Sequence, residues 1–231
     1  MREELVTFGG LRAISVAPDL AEEARAVVAL LHGFEMTPRD LAPFAHSLGV
    51  PAWFLFPEAP LAAASRGRAW WHIDPVQRAE AIARGPRDFA TIHPPDLPAA
   101  RAALATFLDA LGPAIGDRPL IVGGFSQGGM LTCDTLLRTA RRVDGVALLS
   151  ASRIAYSEWA ARLPSRPFQD VPMLISHGTS DPDLAFEAGL ALRDSMVNAG
   201  ADVTWVAFDE GHAIPLPVWR QLRKFLLARV R

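Results

Sequence analysis

The chain has 231 residues, 50% of them hydrophobic and 21% charged, with 23 basic against 25 acidic side chains. Those proportions exclude a disordered chain, and the formal net charge of −2 removes the global electrostatic case for nucleic acid. Cys133 is the only cysteine, which excludes an internal disulfide and a zinc cluster and suits a reducing, cytoplasmic setting.

From the N-terminus, Met1-Arg2-Glu3-Glu4 is mixed in charge and leads into no apolar stretch of signal-peptide length, so no export is expected. The longest apolar runs, such as Ala26–Leu31 and Val146–Leu149, fall far short of the roughly 20 residues that cross a bilayer and read as buried strands. Strands are predicted at Ala13–Ala17, Ala26–Leu31, Ala52–Phe56, Pro119–Gly123, Gly145–Leu149, Met173–Ser176 and Val203–Phe208. Helical spacing of apolar residues covers Asp40–Leu48, Pro98–Leu111, Gly128–Ala140, Leu184–Ala199 and Pro217–Val230. This alternation predicts an α/β fold, with a mostly parallel central sheet, helices on both faces, and one domain over residues 1–231.

Two segments break the rhythm. Residues 57–96, rich in Pro, Ala, Arg and Trp, are too long for a plain connection and read as a functional loop or a pair of short helices. Residues 151–170 form a shorter insertion holding Tyr156 and Trp159. Neither is large enough for a cap domain, so an open site is expected.

The sharpest motif is Gly124-Phe125-Ser126-Gln127-Gly128, a G-x-S-x-G elbow between a predicted strand and a predicted helix. A serine nucleophile must project from a tight strand-to-helix turn, where flanking glycines allow chain segments to approach. The helix N-terminus there also favours developing negative charge. A serine hydroxyl needs a base within hydrogen-bond reach and a third group to orient that base. In this strand-to-helix context the chain order is Ser, then Asp or Glu, then His.

Asp181 follows the next-to-last predicted strand and His212 the last, and open parallel sheets gather ligands at such strand ends. Asp183 is a rival acid, but it precedes a predicted helix and reads as its N-cap. Asp209 and Glu210 stand too near His212 in sequence to orient it. Among the other histidines, His46 and His93 have no chemical company in sequence, His177 reads as structural, and His32 belongs to a different motif. The oxyanion of acyl transfer needs two N–H donors. Gln127, next after the nucleophile, supplies one; the Leu31-His32-Gly33-Phe34 loop supplies the other through Phe34. Phe34, Trp70, Trp71 and Ile214 are apolar candidates for the substrate pocket, while Cys133 reads as a small buried hydrophobe.

Leu31-His32-Gly33 with Asp40-Leu41, Phe56-Pro57-Glu58-Ala59-Pro60, Ala69-Trp70-Trp71, Gly124-Phe125-Ser126-Gln127-Gly128-Gly129, His177-Gly178 with Asp181-Pro182, and Gly211-His212 together resemble the small α/β-hydrolase family of carboxylesterases, lysophospholipases and acyl-protein thioesterases. The likeness runs over most of the chain. It implies a triad of Ser126, Asp181 and His212, an oxyanion hole from Phe34 and Gln127, no metal and no cofactor. The implied substrate is a small acyl ester or thioester; no membrane span is implied, and a homodimer is allowed. Two departures stand out: Glu35 where the family commonly has glycine, and Trp71 as the second aromatic of the usual Trp-Phe pair.

The leading expectation is a cytoplasmic carboxylesterase. A long-chain thioesterase or lysophospholipase with the same triad is the alternative, and a non-catalytic binding module on the same fold is a third reading.

Overall fold

A computed structural model describes residues 1–139 and 141–230. Among the described residues the strands are β1 (Arg2–Phe8), β2 (Leu11–Ala17), β3 (Ala26–Leu31), β4 (Ala52–Pro57), β5 (Leu61–Ala62), β6 (Arg68–Ala69), β7 (Leu120–Phe125), β8 (Gly145–Leu149), β9 (Pro172–Gly178) and β10 (Asp202–Phe208). The α-helices are α1 (Pro38–Leu48), α2 (Pro75–Ala83), α3 (Leu97–Ile115), α4 (Gln127–Leu136), α5 (Tyr156–Ala160), α6 (Phe186–Asn198) and α7 (Leu216–Leu227). Eight strands make one sheet in the order β1-β2-β4-β3-β7-β8-β9-β10. From β4 to β10 every neighbouring pair is parallel; β2 joins both β1 and β4 antiparallel. This is an α/β-hydrolase fold without a large cap domain.

The central strands are apolar throughout because both of their faces are covered. In β3, Val27, Ala29 and Leu31 point into a core shared with Leu104, Phe107, Leu108 and Leu111 of α3. The alternate residues Ala26, Val28 and Leu30 enter a second core with Leu41 and Ala45 of α1 and Val218 and Leu222 of α7. One strand thus feeds two layers by its period of two. None of the residues of α2 is buried.

The seven predicted strands are present, with ends shifted by no more than two residues. The additional edge strand β1 is mostly exposed and carries charge, so it lacks a buried apolar pattern. Its signal was the Gly9-Gly10 turn: both glycines have positive φ (55° and 86°), the requirement of a two-residue hairpin. Helix α1 starts at Pro38, two residues before the predicted Asp40, because proline suits the first turn and Thr37 caps it through Asp40. The predicted helix over Gly128–Ala140 ends as an α-helix at Leu136, and Ala140 lies outside the described residues.

Residues 57–96 hold one small β5–β6 hairpin and one helix, α2, where the alternative reading expected a pair of short helices. Asp74 caps α2 by accepting the Val76 and Gln77 N–H groups, both at 2.9 Å. The predicted start of the next-to-last helix at Leu184 is also corrected, since α6 begins at Phe186. Asp183 is not its N-cap. Asp181 Oδ1 instead accepts the N–H groups of Asp183 and Leu184, each at 2.9 Å, so Asp181 shapes that turn.

Candidate active site

Ser126 stands between β7 and α4 with φ 53° and ψ −119°, a conformation that costs a non-glycine residue on the order of 1–3 kcal/mol. Its neighbours make the elbow possible. A Cβ on Gly128 would lie 2.5 Å from the Leu31 carbonyl oxygen, and one on Gly124 would lie 2.5 Å from the backbone carbon of Gly128. Only glycine lets β3, β7 and α4 come this close. Ser126 is half-buried, while every residue of α4 is buried.

The Ser126 hydroxyl lies 2.9 Å from His212 Nε2, and His212 Nδ1 lies 2.6 Å from Asp181 Oδ2. Three loops, 86 and 31 residues apart, therefore meet in one hydrogen-bonded chain. With Nδ1–H donating to Asp181, Nε2 is left to accept from the serine hydroxyl. Burial pushes the Asp181 carboxyl up, but the hydrogen bond and charge of His212 and the N–H groups of Leu184 and Asp183 outweigh it and hold Asp181 below the usual carboxylate range. Its side chain is wholly shielded from solvent. Behind it, buried His177 donates from Nε2 to the Leu184 carbonyl at 3.1 Å and lies 3.5 Å from Asp181 Oδ2. Burial pulls His177 below its ordinary value despite those contacts. Asp209 and Glu210 are exposed.

The loop of Phe34 lies against the nucleophile. A Cβ on Gly33 would lie 3.3 Å from Ser126 Cβ. Among the described residues, the backbone N–H groups of Phe34 and Gln127 donate to no protein acceptor. His32 fixes this loop: Nδ1–H donates to the Gly33 carbonyl at 2.8 Å, while Nε2 accepts the Ala59 N–H at 3.1 Å. Burial lowers the His32 pKa to about 4, against the Gly33 bond and the charges of Asp40 and Glu58. The ring is therefore neutral in its working range. Glu35 takes the left-handed φ of 63°, so it reproduces the backbone turn usual for glycine at the cost of strain. Its carboxylate is bound by Ser65 and lies 3.7 Å from Arg78.

A cleft of about 350 Å³ opens over Ser126, with Phe34, Trp71, Gln127 and His212 on its walls. Two predicted pocket residues are elsewhere. Trp70 is fully buried, its indole N–H donating to the His32 carbonyl at 2.9 Å. Ile214 packs with Phe125, Trp219 and Leu222 in a separate small space. Both are corrections: the first is held inward by a hydrogen bond, the second by the apolar layer over α7. The side chain of Gln127, chosen for its backbone alone, clamps the Trp70-Trp71 segment by accepting the Trp70 N–H at 2.8 Å and donating to the Trp71 carbonyl at 2.9 Å.

The charged rim escaped the sequence reading. Asp183 faces the cleft and pairs with Arg78 at 2.6 Å and with Arg87. Burial raises its carboxyl, but Arg87 and Arg78 together bring it below the usual range. His93 and His46 do have partners, Ser157 at 3.0 Å and Glu3 at 3.6 Å, both away from Ser126. Among the described residues, no three His, Cys, Asp or Glu side chains cluster as metal ligands, and no helix is long and apolar enough to cross a membrane.

A mostly parallel sheet with a serine on the β7–α4 elbow and its histidine and aspartate at later strand ends defines an α/β-hydrolase. A solved carboxylesterase from Mesorhizobium loti shares the fold, with a TM-score of 0.74, 21% identity and coverage of 97% of this chain and 98% of that one. The chain belongs to the phospholipase/carboxylesterase family, whose pattern matches residues 15–229. Relatives include a probable carboxylesterase SOBER1-like protein of Arabidopsis thaliana, 26% identical over 79% of this chain and 60% of its own length. Acyl-protein thioesterase 1 of Neurospora crassa is also 26% identical, over 48% of this chain and 46% of that protein. The chain thus spans about half the length of the relatives it matches.

Proposed function

We propose that residues 1–231 act as a single α/β-hydrolase domain that cleaves carboxylic esters through an acyl-enzyme on Ser126. The observation that carries this reading is the pair of hydrogen bonds from Ser126 to His212 and from His212 to Asp181. His212 Nε2 takes the hydroxyl proton as Ser126 Oγ attacks the acyl carbon, and returns it to the leaving alcohol or thiol. It then takes a proton from water, whose oxygen attacks the acyl carbon, and hands that proton to Ser126 as the acid departs. Asp181 holds the imidazole tautomer throughout. The N–H groups of Phe34 and Gln127 would hold the oxyanion, each contributing on the order of 3 kcal/mol.

Family membership and the carboxylesterase and thioesterase relatives support ester or thioester substrates. A long-chain thioesterase or lysophospholipase would use the same residues, and a series of esters and thioesters of increasing length separates the readings. The unpaired, buried Cys133 suits a cytoplasmic enzyme. Labelling with a fluorophosphonate followed by peptide mass analysis tests the nucleophile. Modification confined to Ser126 is expected; modification elsewhere, or undiminished ester hydrolysis by Ser126→Ala, overturns the reading.

A further inference from the structure

The cleft at Ser126 has a neighbour. A second cavity of about 580 Å³ lies between α2 and residues 92–95, with Ala81 and Ile92 on its wall. Both spaces share Trp71, Ile73, Arg78, Arg87 and Phe89. The shared wall carries an ionic bridge: Asp183 accepts from Arg78 at 2.6 Å and from Arg87, while Arg78 also approaches Glu35 at 3.7 Å. The backbone locks the bridge in register, since the Arg87 N–H donates to the Asp183 carbonyl and the Ala185 N–H to the Arg87 carbonyl, each at 2.9 Å. Aromatic faces support both guanidinium groups, with Arg78 5.5 Å over Phe34 and Arg87 4.6 Å over Phe89. Asp183 is buried and the two arginines are half-buried, at 12% exposure for Asp183, 18% for Arg87 and 30% for Arg78.

An alkyl chain running from Ser126 into the second cavity would have to separate these charges or lie against them, and either route strips water from paired charges without replacing it. The apolar surface beyond, at Ile92 and Ala81, is then out of reach. We propose that the Arg78–Asp183–Arg87 bridge is the specificity determinant of this site: it restricts the protein to esters of short acyl chains and partitions off a cavity that accepts longer chains once the bridge is gone. The proposal rests on the serine-hydrolase reading above.

Hydrolysis of p-nitrophenyl esters from acetate to decanoate tests it. The wild-type protein should favour acetate to butyrate over decanoate by at least about tenfold in kcat/KM, since each methylene left without a pocket forfeits a severalfold factor. Replacing two bridge members by apolar residues, Asp183→Leu with Arg87→Met, should raise the decanoate-to-acetate ratio by at least about tenfold. Adding Ala81→Trp, which fills the second cavity, should reverse that gain. Should the double variant not fold, Asp183→Asn with Arg87→Gln, which keeps hydrogen-bonding side chains and removes the charges of that pair, must raise the same ratio. A wild-type protein that takes decanoate as readily as butyrate overturns the proposal without any variant. So does an unchanged ratio in a folded variant, or a gain that Ala81→Trp leaves intact. Ser126 labelled by fluorophosphonate alongside a flat chain-length profile refutes the partition alone, whereas no labelling and no hydrolysis refute the serine-hydrolase reading beneath it.

Discussion

The elbow at Ser126 and the helix α2 face the same cleft and are built on opposite terms. At the elbow every residue of α4 is buried, and the glycines at 124 and 128 sit where any Cβ would strike backbone. Helix α2 buries no residue; a side-chain cap at Asp74 and the ion pairs of Arg78 tie it to the rest. The difference separates two tasks. The elbow is held by packing, which is intolerant of small shifts, while α2 is held by polar contacts that can change without disturbing a core.

The largest expected effect breaks the elbow side of the comparison. Ser126→Ala should lower kcat/KM by about 10⁴-fold or more, as removal of a triad nucleophile does, with no loss of thermal stability. Ser126→Gly goes further. It removes the strained φ of 53° and should raise stability by about 1 kcal/mol in denaturant unfolding while abolishing turnover. A Ser126→Gly variant less stable than the wild type would show that the turn is not strained.

Gly128→Ala tests the packing itself. Its Cβ would stand 2.5 Å from the Leu31 carbonyl oxygen, so β3 or α4 must move, at a cost of about 3 kcal/mol or more. Urea unfolding reads this directly, and a loss under 1 kcal/mol would mean that the close approach is not rigid.

How far each side was legible follows from the same contrast. Ser126, Asp181 and His212 could be placed in sequence because a tight turn with flanking glycines and a fixed order of strand ends leaves few other residues to fill those positions. Helix α2 is only two and a half turns long and buries no residue, so Val76, Ala79 and Ile82 give too short an apolar period to read; Asp74-Pro75 is the clearer signal of its start. Asp183 reads locally as a cap, yet its partners Arg78 and Arg87 lie 105 and 96 residues away, beyond any local pattern. Gln127 was found through its backbone position, while the use of its amide on Trp70 and Trp71 depends on a contact across 57 and 56 residues.

Titration sharpens the elbow side again, through the loop beside it. His32 holds the Phe34 loop as a neutral ring, with its pKa lowered to about 4 by burial. Between pH 6.5 and about 4 the unfolded chain binds a proton that the folded one refuses. This stabilisation is complete above pH 6.5 and falls with pH to a total loss of about 3 kcal/mol. His177 is shifted in the same direction, so His32→Gln should flatten the decline without removing it. Stability measured by urea titration that stays level from pH 7 to 4 would contradict the buried neutral ring.

The smallest effect belongs to α2. Asp74→Ala removes the side chain that accepts the Val76 and Gln77 N–H groups, a change of about 1 kcal/mol in helix stability. Because α2 contributes no buried residue to either core, that loss should not reach the global transition. Hydrogen exchange should show faster exchange over residues 75–83, with exchange in β3 and β7 unchanged and the urea midpoint displaced by less than the helix loses. A fall in global stability equal to the loss of the cap would mean that α2 unfolds with the cores, and the division between a packed catalytic elbow and an ion-held wall would not hold.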